Sequence, residues 1–368
     1  MTERLRVLGM MSGTSMDGIE TALIETDGES LIAFGPHESF TFDHQSRELL
    51  MAAKASARSV GGSSERTAVM TEAEALVGAL HVRALEAFFV HNQMTADDVD
   101  LIGFHGQTVF HAPDRGITVQ LGDASVIARA FRCETAFDFR SSDVAAGGEG
   151  APLAPVYHRA LVARSDLPRP VVVLNLGGVA NFTAIDMEGD MIACDTGPAN
   201  ALLDDFVAAR TGRPFDESGR LAASGSPDEA VLRKLMDDPY FTAPYPKSLD
   251  RDAFDPAPAY SLSDADGAAT LTAFSARSIA AGLALLPFRP ELIVATGGGA
   301  RNPHLLRMIG LECRVETIPA ERVGWTSQAI EAQCFAYLAA RVKYGLPITF
   351  PTTTGVPAPL PGGRIVSP

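Results

Sequence analysis

Basic side chains are scarce in this chain: 30 Lys and Arg stand against 45 Asp and Glu in 368 residues, a formal net charge of −15. With no Lys/Arg stripe, a nucleic-acid footprint driven by phosphate neutralisation is not expected, and any polyanionic ligand has to be held locally. Cysteine is sparse too. Cys133, Cys194, Cys313 and Cys334 lie far apart without a CxxC pair, which reads as reduced, mostly buried thiols rather than a disulfide framework. No HxxxH or HExxH pattern occurs among the histidines, which argues against a metal site built by protein ligands alone. No run of about 18 apolar residues is present, and the polar start Met1 to Arg6 shows no signal region, so the expected location is the cytoplasm, with no membrane partner. The fractions that remain, 46% hydrophobic and 20% charged, exclude a mostly disordered chain or a fibre. The length suggests about two domains.

Strand and helix patterns alternate, which makes the class α/β. Arg6–Met11 is apolar, the turn-rich SGTSMDG follows, Ile19–Ile24 alternates, and Thr26-Asp27-Gly28 leads to Leu31–Phe34. Thr71-Glu72-Ala73-Glu74 has the form of a capping box opening a long amphipathic helix with Ala73, Leu76, Val77, Leu80, Ala84 and Phe88 on one face. Leu101–Phe104 and Thr118–Leu121 read as strands. Val171–Leu176 then meets Gly177-Gly178, followed by Asn181–Ile185, Glu188-Gly189-Asp190 and Met191–Cys194. This repeats the N-terminal order of strand, Gly-containing turn, strand, acidic Gly turn, strand, and implies two related halves facing one another across a ligand cleft. Residues 211–270 read as irregular connections with short helices. A helix near Leu271–Leu286, a strand Leu292–Thr296, a helix opening at Asn302-Pro303 and a helix over about Ser327–Lys343 complete the pattern. The Pro-, Gly- and Thr-rich tail 347–368 reads as a surface-running end.

Three glycine-rich turns are candidates for chemistry. In Ser12-Gly13-Thr14-Ser15-Met16-Asp17-Gly18, small residues let backbone N–H groups approach an anion, and Asp17 is placed to hold a hydrated Mg²⁺. A polar hairpin satisfying its own backbone is the plainer reading of the same residues. No Gly-Lys-Ser/Thr follows, so this is not a Walker loop. Gly177-Gly178 and Gly297-Gly298-Gly299 sit at other strand ends, and together the three turns fit a nucleotide held by backbone donors rather than lysines. Asp195 follows a strand and precedes a helix; it reads either as a general base or as a helix cap. Gln107 and Arg140 close predicted strands and suit a polar or carboxylated ligand, His105 reads best as a structural histidine, and Glu331 at a helix start is ordinarily dipole-favourable decoration.

Taken together, LGMMSGTSMDGIETALIE at 8–25, IGFHGQTVFH at 102–111, TVQLGD at 118–123, DFRSSDVAAGGEGAPLAPVYH at 138–158, LNLGGVANFT at 174–183, CDTGPANALLD at 194–204 and ATGGGARNPHL at 295–305 resemble the anhydro-N-acetylmuramic acid kinase family. The resemblance implies the two-lobed actin-like ATPase fold, a duplicated ribonuclease H-like architecture with ATP in the inter-lobe cleft. An N-terminal lobe would span 1–165, with the tail 345–368 able to pack back on it, and a C-terminal lobe 166–344. Carried over, Gly13, Thr14, Ser15, Met16, Asp17, Gly18, Ile19 and Glu20 would form the first phosphate loop with Asp17 near Mg²⁺. Gly177 and Gly178 would form the second loop, and Gly297, Gly298 and Gly299 the nucleoside-side turn. Asp195 would be the catalytic base, with Gln107, Arg140 and Glu331 gripping the sugar. The implied reaction opens 1,6-anhydro-N-acetylmuramic acid with water and phosphorylates O6 from ATP in peptidoglycan recycling; a homodimer is left open.

Two places depart from the family pattern. Leu249-Asp250 stands where Thr-Gly is common, and Phe137 replaces a small residue before Asp-Phe-Arg, which puts local loop geometry in question. The competing readings are an ordinary sugar kinase of the same fold and an actin- or Hsp70-like ATP-driven binding protein without a small substrate.

Overall fold

Short apolar runs bounded by turn residues become strands that line one face or both faces of two sheets. A computed structural model describes residues 3–251 and 253–368. Its strands, in chain order, are β1 (Leu5–Ser12), β2 (Gly18–Thr26), β3 (Leu31–Thr41), β4 (Leu101–Ala112), β5 (Ile117–Leu121), β6 (Thr135–Phe137), β7 (Val171–Leu176), β8 (Val179–Ile185), β9 (Met191–Pro198), β10 (Leu292–Thr296), β11 (Glu316–Pro319) and β12 (Arg364–Val366). The chain divides into two compact units. One comprises the described residues up to Arg164 together with Gln328–Pro368, the other Ser165–Ser327.

The first unit's sheet runs β12-β6-β4-β1-β2-β3, with β5 also paired to β4. β1, β2 and β3 form an antiparallel meander, and β4 and then β6 add parallel to β1. In the second unit the order is β11-β10-β7-β8-β9, again an antiparallel meander with two parallel strands added beside its first member. The repeat read from the sequence is therefore a repeat of topology. Even the second turn of each meander closes alike: Asp27 Oδ1 accepts from the amides of Glu29 and Ser30, and Asp186 Oδ1 from those of Glu188 and Asp190.

In the first unit, the helix Ala68–His91 supplies Met70, Val77, Leu85 and Phe88 to a core shared with Leu8, Met10, Ile102 and Phe104. It begins earlier than the expected capping box, because Thr67, not Thr71, accepts from the Met70 amide, while the Thr71 hydroxyl donates back to the Thr67 carbonyl. The helix His44–Ala57, which the sequence reading left out, packs beside it under an Asp43 cap. In the second unit the apolar run Val171–Leu174 of β7 is buried throughout, as a strand covered on both faces requires. The helix Asp264–Ala284 lays a surface of Ala, Ser, Thr and Gly on β9, and Asn302 caps the helix Pro303–Cys313 as its sequence predicts.

One expectation about organisation changes. The helix Ile330–Lys343, assigned from sequence to the second lobe, packs on β1, β2 and β4 of the first unit, so the second unit ends at Ser327 rather than 344. The tail packs on the first unit: β12 extends the first sheet through β6, and Thr354 donates to the buried carboxylate of Asp143 at 2.6 Å. A buried carboxylate needs such donors, and the tail provides one. Cys133, Cys194 and Cys334 are buried free thiols and Cys313 is half-buried. No helix of the described residues is long and apolar enough to cross a membrane.

Burial also sets an acid limit on the first unit. His81 and His158 are buried, and loss of hydration holds both imidazoles down to about 4. Because the folded values lie below the unfolded ones, the unfolded chain binds more protons at acid pH. Stability is therefore lost as pH falls from about 6.5 towards 4, by about 1.4 kcal/mol per pH unit per histidine. Denaturant unfolding at pH 7 and pH 5 should show this loss; equal stability at both would contradict neutral burial.

Candidate active site

The first phosphate-loop candidate is the turn from β1 to β2. Met16 occupies left-handed backbone (φ 54°) and donates to the Gly13 carbonyl at 3.1 Å, and its side chain is buried in the core. That anchor pushes Thr14, Ser15 and Asp17 outward, where all three are exposed. The Ser15 hydroxyl donates to Asp17 Oδ1 at 2.7 Å. Ile19 points into the core, so within 13–20 it offers only its backbone. Glu20 accepts from Ser39 at 2.5 Å; burial raises its carboxyl, Ser39 opposes this, and the nearby Asp17 adds to it.

Gln107 takes up a different place from the one expected. It is fully buried, accepts from the Ser12 hydroxyl, and donates through Nε2 to the carbonyls of Gly13 at 2.9 Å and Thr108 at 3.2 Å. Both amide hydrogens are thus engaged by the protein. In this structure Gln107 braces the turn against β4 rather than presenting its amide to a sugar. The other two sugar candidates remain near one another. Desolvation lowers the Arg140 guanidinium to about 10, with the carboxylate of Glu331 pulling the other way. Glu331, in the first turn of Ile330–Lys343, is exposed. Its carboxyl is raised by desolvation, lowered in part by Arg140, and raised further by Glu20 and Asp17. The charges of Glu20 and Asp17 thus act on Glu331 from the first turn and its neighbouring strand.

Within the second unit the two remaining glycine turns come together. The amides of Ala199, Asn200 and Ala201 donate to the Gly178, Gly177 and Gly178 carbonyls, and Asn200 Nδ2 donates to the carbonyls of Leu176 at 2.8 Å and Gly177 at 2.9 Å. The carbonyls of the β7–β8 turn are thus engaged by the segment that opens the next helix. Gly297, at the end of β10, has φ 77°, and a Cβ there would lie 2.5 Å from Asn175 Oδ1 and 2.9 Å from the Leu176 carbonyl oxygen. Only glycine fits this close approach of the third turn to the second.

Asp195 lies inside β9, paired with Asn181, rather than capping a helix; the following helix is Ala201–Thr211 and begins after Asn200. Its surroundings come from the stretch read as irregular. The Leu249 amide donates to Asp195 Oδ2 at 2.9 Å, the Tyr240 hydroxyl to the Asp195 carbonyl at 2.8 Å, and the Asp195 amide to the Lys247 carbonyl at 3.1 Å. Lys247 Nζ, 4.4 Å from the centre of the Tyr240 ring, donates to the Tyr240 carbonyl. Burial and the charge of Asp195 push the Tyr240 phenol far up, so it stays a donor. The sequence signal for this wrap was the cluster Tyr240 to Arg251 within a Pro- and Asp-rich loop. Leu249 holds the carboxylate through its backbone, which any residue but proline provides, so that departure leaves the contact intact. Phe137 is accommodated as well, its ring 5.0 Å beneath the Arg364 guanidinium, which also binds Asp138 at 2.8 Å.

Two sheets of one topology, each with a small-residue turn after its first strand, define a duplicated α/β fold of ribonuclease H-like topology. A family model described as anhydro-N-acetylmuramic acid kinase matches residues 5–367, and the chain belongs to this family. The chain is similar to the anhydro-N-acetylmuramic acid kinase of Azorhizobium caulinodans, with 50% identity over 99% of this chain and all of the relative. It is similar also to that of Methylobacterium nodulans, with 47% identity over 99% of this chain and all of the relative. A looser likeness, with 13% identity and a TM-score of 0.45 over 92% of this chain and 97% of the other, is to the activator of the 2-hydroxyisocaproyl-CoA dehydratase from Clostridium difficile. As a member of the kinase family, the protein is an enzyme that transfers phosphoryl groups and uses ATP.

Proposed function

We propose that the protein opens 1,6-anhydro-N-acetylmuramic acid with water and phosphorylates it at O6, giving N-acetylmuramic acid 6-phosphate and ADP. The observation that carries this reading is the setting of Asp195: a half-buried carboxylate whose Oδ2 is fixed by the Leu249 amide, on a strand of the same sheet as the Gly177-Gly178 turn. Asp195 takes a proton from water as the water oxygen attacks C1. The C1–O6 bond breaks, O6 forms a bond to the γ-phosphorus, and the β,γ-bridging oxygen departs with ADP. No covalent enzyme intermediate is needed.

Phosphoryl transfer is chiefly positioning and charge neutralisation. We assign to ATP the backbone amides of Gly13–Gly18 and of Gly177-Gly178, and to its nucleoside the Gly297–Gly299 turn. Mg²⁺ is ordinarily bound by one or two carboxylates together with substrate phosphates. Asp17, exposed and already accepting from Ser15, fits as that carboxylate, and the ion would supply neutralisation of phosphate charge. Arg140 takes the lactyl carboxylate of the sugar and Glu331 a hydroxyl, while Gln107 keeps the first turn in shape. We assign the reaction to peptidoglycan recycling in the cytoplasm.

The test is turnover in ¹⁸O-water with ATP, Mg²⁺ and the anhydro sugar. One labelled oxygen at C1 and none in the transferred phosphoryl group is expected. A phosphorylated product without label would replace this reading with direct phosphorylation of an ordinary sugar hydroxyl.

A further inference from the structure

We propose that His105 is a positioning residue for Arg140: a neutral imidazole that fixes the guanidinium without cancelling its charge, so that the charge remains for the carboxylate of the sugar. The inference rests on the assignment of Arg140 to that carboxylate.

Its basis is the geometry around one ring nitrogen. His105 Nε2 lies 3.2 Å from Arg140 Nε and 3.1 Å from Arg140 Nη2. A guanidinium can only donate, so Nε2 must be the acceptor and the imidazole proton resides on Nδ1. Nδ1 meets no well-aligned acceptor, although the backbone of Gly106 and Ser12 lies close enough to favour a proton there. The ring itself is immobilised, 4% exposed and 4.4 Å from the centre of the Phe335 ring. A second proton would set N–H against N–H and bring two positive charges together. Burial and the Arg140 charge accordingly hold His105 well below its ordinary range.

Arg140 Nη1 donates to the Gly150 carbonyl at 2.7 Å. Three of the five guanidinium N–H groups are thereby engaged by neutral acceptors, leaving one on each Nη nitrogen. None of these partners is an acid, and Glu331 and Asp143 act on Arg140 from beyond hydrogen-bonding distance. An aspartate in place of His105 would orient the arginine equally well but would compete with the incoming carboxylate for its charge. A neutral acceptor orients and does not compete.

The test is a double-mutant cycle in the full-length enzyme, measuring KM for the anhydro sugar, KM for ATP, and kcat. His105→Leu should raise the sugar KM about tenfold or more with kcat and the ATP KM little changed, the cost expected of a lost supporting contact. His105→Gln, whose carbonyl oxygen replaces Nε2, should recover most of the loss. Arg140→Met should raise the sugar KM further, and adding His105→Leu to it should have no additional effect. If Arg140→Met leaves the sugar KM unchanged, the assignment of Arg140 to the carboxylate fails. If Arg140→Met raises it but the His105→Leu effect adds in full, or Gln does not rescue, the positioning role is overturned. Should His105→Leu not fold, His105→Asn, whose shorter amide stops short of Arg140, serves in the same cycle.

Discussion

Asp195→Asn should fold, bind ATP as tightly as the natural protein, and lose kcat by about 10²- to 10⁴-fold, the range for removal of a positioned general base. Asparagine keeps an oxygen for the Leu249 amide, so the loop carrying Tyr240 and Lys247 has no reason to leave its place. What disappears is the capacity to accept a proton from water. The measurement is kcat beside the ATP Kd. Retention of more than a tenth of kcat with unchanged ATP binding would remove Asp195 from the role of base and leave it as a loop anchor only.

The second large effect is on stability and reaches the site through packing. At Gly9 in β1, an added Cβ would fall on the carbonyl oxygen of Ala332 and crowd the amide of Ala336, both in the backbone of Ile330–Lys343. Backbone cannot rotate aside as a flexible side chain can, so the helix has to lift from β1. Gly9→Ala is expected to destabilise the protein by about 3 kcal/mol, at the upper end of ordinary overpacking. Because β1 ends at Ser12 and the helix carries Glu331 in its first turn, the same displacement should move the carboxylate relative to the Gly13–Asp17 turn and lower activity. Urea unfolding of the variant decides it: a loss below about 1 kcal/mol would show that helix and strand have room to separate.

The two departures from family pattern illustrate how unequal substitutions are. Leu249 changes a side chain at a position that acts through its amide, and Phe137 finds a cation over its ring. Gln107 teaches the converse, since a residue selected for its chemistry serves the shape of the turn, with both ends of its amide committed to Ser12, Gly13 and Thr108.

Much of the architecture was readable one segment at a time. The two meanders, the Asp27 and Asp186 turns, the buried run Val171–Leu174 and the Asn302 cap all follow from interactions spanning a few residues, where periodicity, turn chemistry and capping operate. The three glycine turns were visible for the same reason, as local patterns beside strands, whereas Asp195, read at a strand end, lies within β9. Long-range contact settled the remainder: that Ile330–Lys343 covers β1, that the tail closes the first sheet and reaches Asp143, that residues 240–249 wrap Asp195, and that His105 meets Arg140. Such pairings join groups tens to hundreds of positions apart. Their selection depends on shape and on the cost of burying an unpaired polar group, quantities that exist only once the chain has folded.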